Sequence, residues 1–429
     1  MVGIVLLLVR KRILNLDKKL ELLSPAGDIV RLKAAVDYGA DAVYLAGEEF
    51  GMRTAASNFG EEDLRKGVEY AHTRGAKVFV ACNTLPHNEE IPRIPEFLEM
   101  VADTGADALI ASDIGTMGLI KKYAPKLELH ISVQSGIVNY ETARAFYNMG
   151  AKRIVTAREL SLNEIAEIRA KTPNELEIEA FVHGAMCVSY SGRCLLSNYL
   201  TNRDSNRGEC AQPCRWKYYL MEEKRPNQYM PVFENENGTF IFNSKDLCMI
   251  RHIPELVKSG VKSFKIEGRV KSEYYVATVV KAYREAIDRY YEQGENYKFD
   301  ENWFEELGKV SHREYSEGFY FGNPEEIYSY GSYVRDYDIV GMVQDYDPET
   351  QIVTIEQRNR FYKGDIIEFL PPEGKFYSQC VEYMENAEGI EINVAPHPQM
   401  ILKMKVLQPM IKDTIVRKAV GGTENGQSI

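Results

Sequence analysis

Along the first 270 residues one pattern of apolar and polar positions keeps returning. A stretch with helical periodicity ends in glycine, and a short apolar run follows. The markers are YGADAVYLA (38–46), RGAKVFVACN (74–83), TGADALIASD (104–113), MGAKRIVTARE (149–159) and SGVKSFKIEGR (259–269). Glycine suits a helix C-terminus because it takes left-handed dihedrals without steric cost. ELLSPA (21–26), ELHISVQ (128–134) and EIEAFVHG (177–184) add three strand candidates that lack the marker. Residues 64–74, 94–104 and 140–150 repeat their apolar positions at helical spacing. Eight strands alternating with helices predict an α/β fold, a (β/α)8 TIM-like barrel over residues 20–293. A doubly wound open sheet is the alternative. The first turn carries no G-x-G-x-x-G, which argues against a Rossmann dinucleotide site.

The seventh and eighth strand candidates lie about 80 residues apart, far more than a barrel loop needs. The excess, 185–258, reads as an insertion after strand seven. In such barrels the chemistry sits on loops at the C-terminal ends of strands, and this insertion leaves from that end. Residues 271–293 read as one long amphipathic helix, and 294–335 as a linker rich in Tyr, Gly and Glu. Alternating runs at 338–346, 351–357, 365–370, 388–394 and 400–407 predict a small C-terminal β-barrel over 336–411, with 412–429 a flexible tail. Residues 1–19 form an N-terminal extension whose apolar run, Val2 to Val9, is too short to span a bilayer. No basic residue precedes that run, so a strand-like extension is expected rather than a signal peptide. No other segment reaches membrane length, and a cytoplasmic location is the expectation.

A chain of 429 residues with 45% hydrophobic and 27% charged residues can build two or three domains around sizeable cores. Its net charge of −11 excludes a generally basic nucleic-acid binder, though not a local basic face. The seven cysteines change the picture more. Four fall in one C-x6-C-x15-C-x3-C stretch: Cys187, Cys194, Cys210 and Cys214. Disulfides are disfavoured in a cytoplasmic protein, so the clustering points to a metal or an iron–sulfur cluster. Structural zinc usually takes pairs spaced C-x2–4-C, and only Cys210 and Cys214 fit that. The looser spacing leans towards iron–sulfur, with zinc and unrelated buried thiols as alternatives. Cys248 is a spare thiol able to replace one of the four; Cys82 and Cys380 are isolated.

Polar residues stand at the predicted strand ends: Asn83, Asp113, Gln134, Arg158, Glu159, His183, Glu267 and Arg269. As a group they are expected to face one barrel mouth as a pocket, although some of them cap the following helix in the plainer reading. Arg158, Glu159, His183, Glu267 and Arg269 are the candidates for catalytic work. Arg158 and Arg269 suit an anionic group, because guanidinium binds carboxylate or phosphate in bidentate fashion. Asn83, Asp113 and Gln134, with Arg193, Arg215 and Trp216 of the insertion, are candidates for holding substrate. Between Arg193 and Lys217 five basic residues face only Asp204 and Glu209, and Tyr190, Tyr199, Trp216, Tyr218 and Tyr219 stand among or beside them. Basic residues interleaved with aromatics suit single-stranded RNA; a solvated arm around a cluster is the plainer alternative. Hydrolase signals are absent: no H-E-x-x-H, no G-x-S-x-G and no Walker A loop. Ser189, Ser191 and His183 are close in sequence, which by itself establishes no triad.

The segment EAFVHGAMCVSYSGRCLLS (179–197) resembles the signature of the collagenase-like peptidase family. Glu179, Phe181, Gly184, Ala185, Cys187, Gly192, Cys194 and Ser197 stand at the family's offsets. Similar stretches are 21–46, RGECAQPCRWKYYL (207–220), NSKDLC (243–248), FKIEGRVKSEYYV (264–276) and SHREYSEGFYFG (311–322), so the resemblance covers roughly residues 20–410. Members sharing the C-A-Q-P-C-R-W-K-Y form and a C-terminal β-barrel resemble the tRNA 5-hydroxyuridine modification proteins. That resemblance implies hydroxylation of the wobble uridine of tRNA, with prephenate as co-substrate and the anticodon loop as partner. It implies a [4Fe–4S] cluster on Cys187, Cys194, Cys210 and Cys214, with Cys248 as the alternative fourth ligand. It also implies a small carboxylate held by the strand-end arginines, and assembly with a second copy or a family paralogue. The rivals from other classes are a peptidase and a non-catalytic scaffold, stapled by zinc, that binds RNA or a partner protein.

Overall fold

The computed structural model describes residues 20–52, 58–187, 189–192, 194–216, 233–235, 238–240, 245–322 and 334–420. Seven parallel strands follow one another around a barrel: β1 (Glu21–Pro25), β2 (Ala42–Ala46), β3 (Lys77–Cys82), β4 (Ala108–Ala111), β5 (Glu128–Ile131), β6 (Arg153–Val155) and β7 (Glu177–Ala185). The segment after β7 holds a hairpin, β8 (Phe233–Asn235) with β9 (Gly238–Phe240), and a short strand, β10 (Asp246–Cys248). The eighth barrel strand, β11 (Ser263–Ile266), pairs in parallel with both β7 and β1 and so closes the barrel. All eight strands read from the sequence are present. Helices α1 (Ile29–Asp37), α2 (Glu61–His72), α3 (Ile94–Asp103), α4 (Ile114–Tyr123), α5 (Tyr140–Asn148) and α6 (Leu162–Ala170) each follow one of the first six strands. The insertion carries α7 (Leu196–Thr201), α8 (Ile253–Lys258) leads into β11, and α9 (Glu273–Gln293) and α10 (Glu301–Gly308) follow it.

The local sequence explains these boundaries. Asp28, Asp113, Asn139, Ser161 and Ser272 cap helix N-termini by accepting a backbone N–H two or three residues into the helix. Each helix-to-strand marker ends in a glycine of positive φ, from 76° at Gly75 to 116° at Gly39. The apolar faces of the helices pack onto the outer strand residues in one large core. Inside the barrel, Leu23, Ala42, Tyr44, Phe79, Ala108 and Ile110 form a separate plug. Beside it lies a buried ionic belt. Arg153 bonds Glu21 at 2.5 Å, Glu177 at 2.6 Å and Glu179 at 3.2 Å, and the Lys265 ammonium lies 2.6 Å from Glu179. Each charge in this belt is held by an opposite one.

The remaining strands are β12 (Tyr315–Ser316), β13 (Tyr337–Asp347), β14 (Ile352–Gln357), β15 (Phe361–Tyr362), β16 (Ile366–Leu370), β17 (Tyr377–Cys380), β18 (Met384–Asn386), β19 (Val394–Ala395), β20 (Ile401–Lys405) and β21 (Ile415–Ala419). Seven of them form an antiparallel sheet in the order β17-β16-β21-β13-β14-β20-β18, curled as a half-barrel around its own core. Three boundaries read from the sequence move. The tail begins later than 412, because β21 sits in the interior of this sheet between β13 and β16. The segment 294–335 is not a bare linker: α10 and β12 fall within it, and Trp303, Leu307, Val310 and Tyr320 are buried against the barrel. The run 388–394 is mostly a turn, and only Val394 at its end joins a strand.

The half-barrel is fastened to the barrel's flank. The Tyr38 hydroxyl donates to the Leu370 carbonyl at 2.8 Å and accepts from the Ile415 N–H at 3.3 Å. Arg417, fully buried, bonds Glu306 at 2.6 Å and Glu368 at 2.8 Å. Among the described residues no helix is long and apolar enough to cross a membrane.

Candidate functional site

The insertion leaves β7 at the C-terminal end of the barrel and is pinned back onto the loops of that end. The first pin is Glu159, just beyond β6. Its carboxylate accepts the Ser191 N–H at 2.8 Å and the Ser191 hydroxyl at 3.2 Å. The second is Gly192, at φ +73°. A Cβ there would stand 2.2 Å from the Gln134 carbonyl oxygen, so the chain lies flat against the loop after β5 only because this residue is glycine. The third is on the loop after β3, where the Asn206 carbonyl accepts from the Leu85 N–H at 3.3 Å and Arg207 pairs with Glu90 at 3.0 Å. Within the insertion the Ser205 hydroxyl donates to the Cys194 carbonyl at 2.7 Å, and the Ala211 N–H donates to the Ser197 hydroxyl at 3.0 Å. These bonds bring the Cys187–Cys194 loop and the Cys210–Cys214 loop to the same end of the barrel.

No disulfide joins any of the described cysteines. Cys187 is exposed, and Cys194, Cys210 and Cys214 are half-buried. Among the described residues no three His, Cys, Asp or Glu side chains are drawn together as metal ligands. In kind, the donor set fits an iron–sulfur cluster: four unbridged thiols on one pinned insertion. Cys248 differs from them. It lies on β10, opposite His183 on β7, and burial pushes its thiol up to about 12, against hydrogen bonds from the Ile250 backbone and Tyr283. A thiol so placed stays protonated, which is poor preparation for a ligand.

The strand-end residues divide. Asn83, Gln134, Arg158 and Glu267 do gather at the mouth. Asn83 accepts from the Met52 N–H at 3.1 Å and donates to the Ser132 hydroxyl at 3.3 Å, which also accepts the Gln134 N–H at 3.3 Å. The Arg158 guanidinium lies 3.8 Å from the centre of the Phe181 ring and donates to the Ala185 carbonyl at 2.8 Å. It stands 3.8 Å from the Glu267 carboxylate, which also receives the Tyr44 hydroxyl at 3.3 Å. Asp113 does plainer work, accepting the Thr116 N–H at 2.7 Å as the cap of α4. Arg269 is buried, and its carbonyl abuts Gly27. Arg193 and the Arg215 side chain lie outside the described residues. Trp216 is exposed, as are Tyr190, Leu195, Tyr199 and Leu200, so the insertion presents an apolar and aromatic outer face.

His183 is the clear departure from the expected mouth. A bulge places two β7 residues, Val182 and His183, against one step of β11, between Lys265 and Ile266. The extra residue inverts the alternation, and His183 turns outward beneath α9. Its ring sits 5.5 Å from Tyr283, 5.3 Å from Tyr315 and 6.0 Å from Tyr275. Neither ring nitrogen has a hydrogen-bond partner among the described residues, and burial lowers its pKa to about 3. It therefore makes no pair with Ser189 or Ser191, and Ser191 is committed to Glu159. Tyr44 and Ser132 were not singled out from the sequence, and Phe181 only as a position of the family signature. Tyr44 and Phe181 read as ordinary apolar strand residues, and only the barrel's closure brings them to Arg158 and Glu267.

Two family models tile the chain. The model described as peptidase family U32 matches residues 27–329, and the model for the peptidase family U32 C-terminal domain matches 335–417. The tRNA hydroxylation protein P1 of Bacillus subtilis (strain 168) is 41% identical over 411 residues, covering 95% of this chain and 96% of that protein. The tRNA hydroxylation protein P of Escherichia coli (strain K12) is 38% identical over 421 residues, covering 88% and 92%. The 23S rRNA 5-hydroxycytidine C2501 synthase of Escherichia coli (strain K12) is 40% identical over 275 residues, 64% of this chain and 40% of that protein. The U32 match spans the barrel, the cysteine insertion and the half-barrel alike, and the chain belongs to peptidase family U32.

Proposed function

We propose that this protein hydroxylates a base of RNA, with tRNA as its substrate. The observation that carries the reading is the insertion: four cysteines, none in a disulfide, on a segment pinned to the loops at the mouth of a TIM-like barrel, with exposed aromatic side chains on the same segment. Relatives named for tRNA hydroxylation and for rRNA 5-hydroxycytidine synthesis match this chain across the same insertion. Replacing a C–H bond of a pyrimidine by C–OH inserts an oxygen atom and removes two electrons, so it needs an oxygen-bearing co-substrate that accepts the two electrons, which ordinary acid–base side chains do not supply. Cys187, Cys194, Cys210 and Cys214 would hold a [4Fe–4S] cluster, which when bound supplies one-electron chemistry or an open iron site. Without an ion, nothing draws thiols into a ligand shell, so assembly of the shell is coupled to loading. Cys214 rather than Cys248 is the fourth ligand in this reading, because Cys248 is buried and protonated. Zinc on the same thiols, in a non-catalytic scaffold, is the outcome if iron and sulfide are absent.

The chain's own residues have definable tasks. Arg158, already flat on Phe181, exchanges its loose contact with Glu267 for a carboxylate of a small co-substrate; prephenate is the candidate. The exposed Tyr190, Tyr199 and Trp216 stack unpaired bases of an anticodon loop, which would place a wobble uridine at the mouth and make 5-hydroxyuridine the product. Among the described residues His183 is turned into the core and Ser191 is bonded to Glu159, so these residues form no Ser–His pair that would support proteolysis. Nucleoside mass spectrometry of tRNA from a strain lacking this gene tests the proposal. Loss of 5-hydroxyuridine, restored by the wild-type gene and not by a Cys187→Ala copy, is expected. An unchanged level overturns it, as does cleavage of gelatin by the purified protein that a single serine change abolishes.

A further inference from the structure

We infer that Glu159 is a positioning residue for the Cys187–Cys194 pair, holding the loop between the two thiols in the shape that cluster loading requires. This deepens the iron–sulfur reading and rests on it. Arg158 and Glu159 are adjacent, yet they serve opposite sides. Arg158 turns to β7 and β11, where it meets the Ala185 carbonyl and Glu267. Glu159 turns to the insertion, and its two oxygens converge on one residue, Ser191, at 2.8 Å to the N–H and 3.2 Å to the hydroxyl.

Ser191 lies inside the six-residue loop between the two thiols, and the next residue is Gly192. Gly192 is fixed independently: its left-handed φ and the Gln134 carbonyl, 2.2 Å from where a Cβ would sit, admit no side chain. Two successive residues of the loop are thus held, one by β6's loop and one by β5's. Cys194 follows two residues later, with its own carbonyl held by Ser205. A loop six residues long has few ways to connect two fixed points, so holding Ser191 and Gly192 limits where both thiols can be. Groups that orient metal ligands without touching the metal act in this way. A carboxylate is the right group here because it accepts two bonds at once and binds charge-assisted donors more strongly than an amide does.

The test compares the wild-type protein with Glu159→Ala, Glu159→Gln and Gly192→Ala, in two states. In the metal-free full chain, alkylation by iodoacetamide is followed residue by residue by mass spectrometry. Cys194, half-buried, is expected to react about tenfold faster in Glu159→Ala and Gly192→Ala, a measure of local opening. Cys187, already exposed, is the internal control and should change little. In anaerobically reconstituted protein, cluster retention under chelator challenge, read from the visible absorption and iron content, should fall about tenfold or more in the same two variants. Glu159→Gln, which keeps an oxygen able to accept the Ser191 N–H, should recover most of the retention. Wild-type Cys194 reactivity and wild-type cluster retention in Glu159→Ala overturn the inference. A wild-type protein that takes up no iron and sulfide, while Glu159→Ala still exposes Cys194, overturns the cofactor reading and leaves the positioning role standing. If Glu159→Ala is insoluble, Ser191→Ala, which removes the hydroxyl that Glu159 accepts, carries the same comparison.

Discussion

His183 supplies the sharpest test of the barrel's packing. Its ring is buried among three tyrosines with no hydrogen-bond partner on either nitrogen among the described residues, and burial lowers its pKa to about 3. The unfolded chain's histidine titrates near 6.5. Between those values the unfolded state binds a proton that the folded state refuses, so stability is full above about pH 6.5 and is lost as the pH falls. At pH 5 the loss from this one residue is about 2 kcal/mol, from 1.36 kcal/mol for each unit between 6.5 and 5. Paired carboxylates such as Glu179 lose their contribution at lower pH, because their unfolded value lies near 4.3. His130, also lowered by burial, adds a loss of the same sign, which a difference measurement cancels. The perturbation is His183→Leu, similar in volume and without the titration. At pH 7.5 it should change stability by less than about 1 kcal/mol, since no hydrogen bond is removed. Denaturant unfolding can be followed by the fluorescence of buried Trp303 at pH 7.5, 6.5, 5.5 and 5.0. The variant should gain about 2 kcal/mol on the wild type as the pH falls to 5. A pH profile parallel to that of the wild type would refute the reasoning, because it would mean that His183 is protonated in the folded state.

Other consequences are more direct. Glu179→Ala leaves the Lys265 ammonium buried inside the barrel without its 2.6 Å partner, and should cost about 3–5 kcal/mol in denaturant unfolding. Arg417→Met strips Glu306 and Glu368 of a fully buried partner, so hydrogen exchange across β16, β21 and α10 should rise while β3 and β4 remain protected; uniform protection would show that the half-barrel is held otherwise. Tyr199→Ala and Trp216→Ala should each weaken binding of a tRNA anticodon stem-loop by about 1–3 kcal/mol in gel-shift titrations, with protein stability unchanged. Equal binding by all three proteins would remove the aromatic face from the substrate path.

Much of the barrel was legible in the chain because its signals are local. Each marker joins a helix-ending glycine to an apolar run, and both act within a few residues of themselves. The short strands β10, β12, β17 and β18 gave no such signal, since two to four residues carry no readable period. β21 hid for another reason: Arg417 stands in its middle, and a charged residue reads as surface until Glu306 and Glu368, far away in sequence, are seen to enclose it. Of the candidate residues, Arg158 lies beside Glu267 and Asn83 beside the Ser132–Gln134 turn, while Asp113 caps a helix. Glu159, named from the sequence among the catalytic candidates, is found hydrogen-bonded to the insertion. Its partner Ser191 is 32 residues away, and no spacing rule links them.

By itself the sequence determined the order of elements, the eight strands of the barrel, and the clustering of cysteines in the long segment after the seventh. These follow from dihedral preference, hydrophobic period and residue chemistry, all readable along the chain. Only the tertiary structure decided which side of a strand each functional residue faces and what it touches there. One extra residue in β7 turned His183 from the mouth to the core. One carbonyl at Gln134 made Gly192 obligatory. Both depend on contacts made only when the barrel closes, and register and closure are long-range properties that no local pattern encodes.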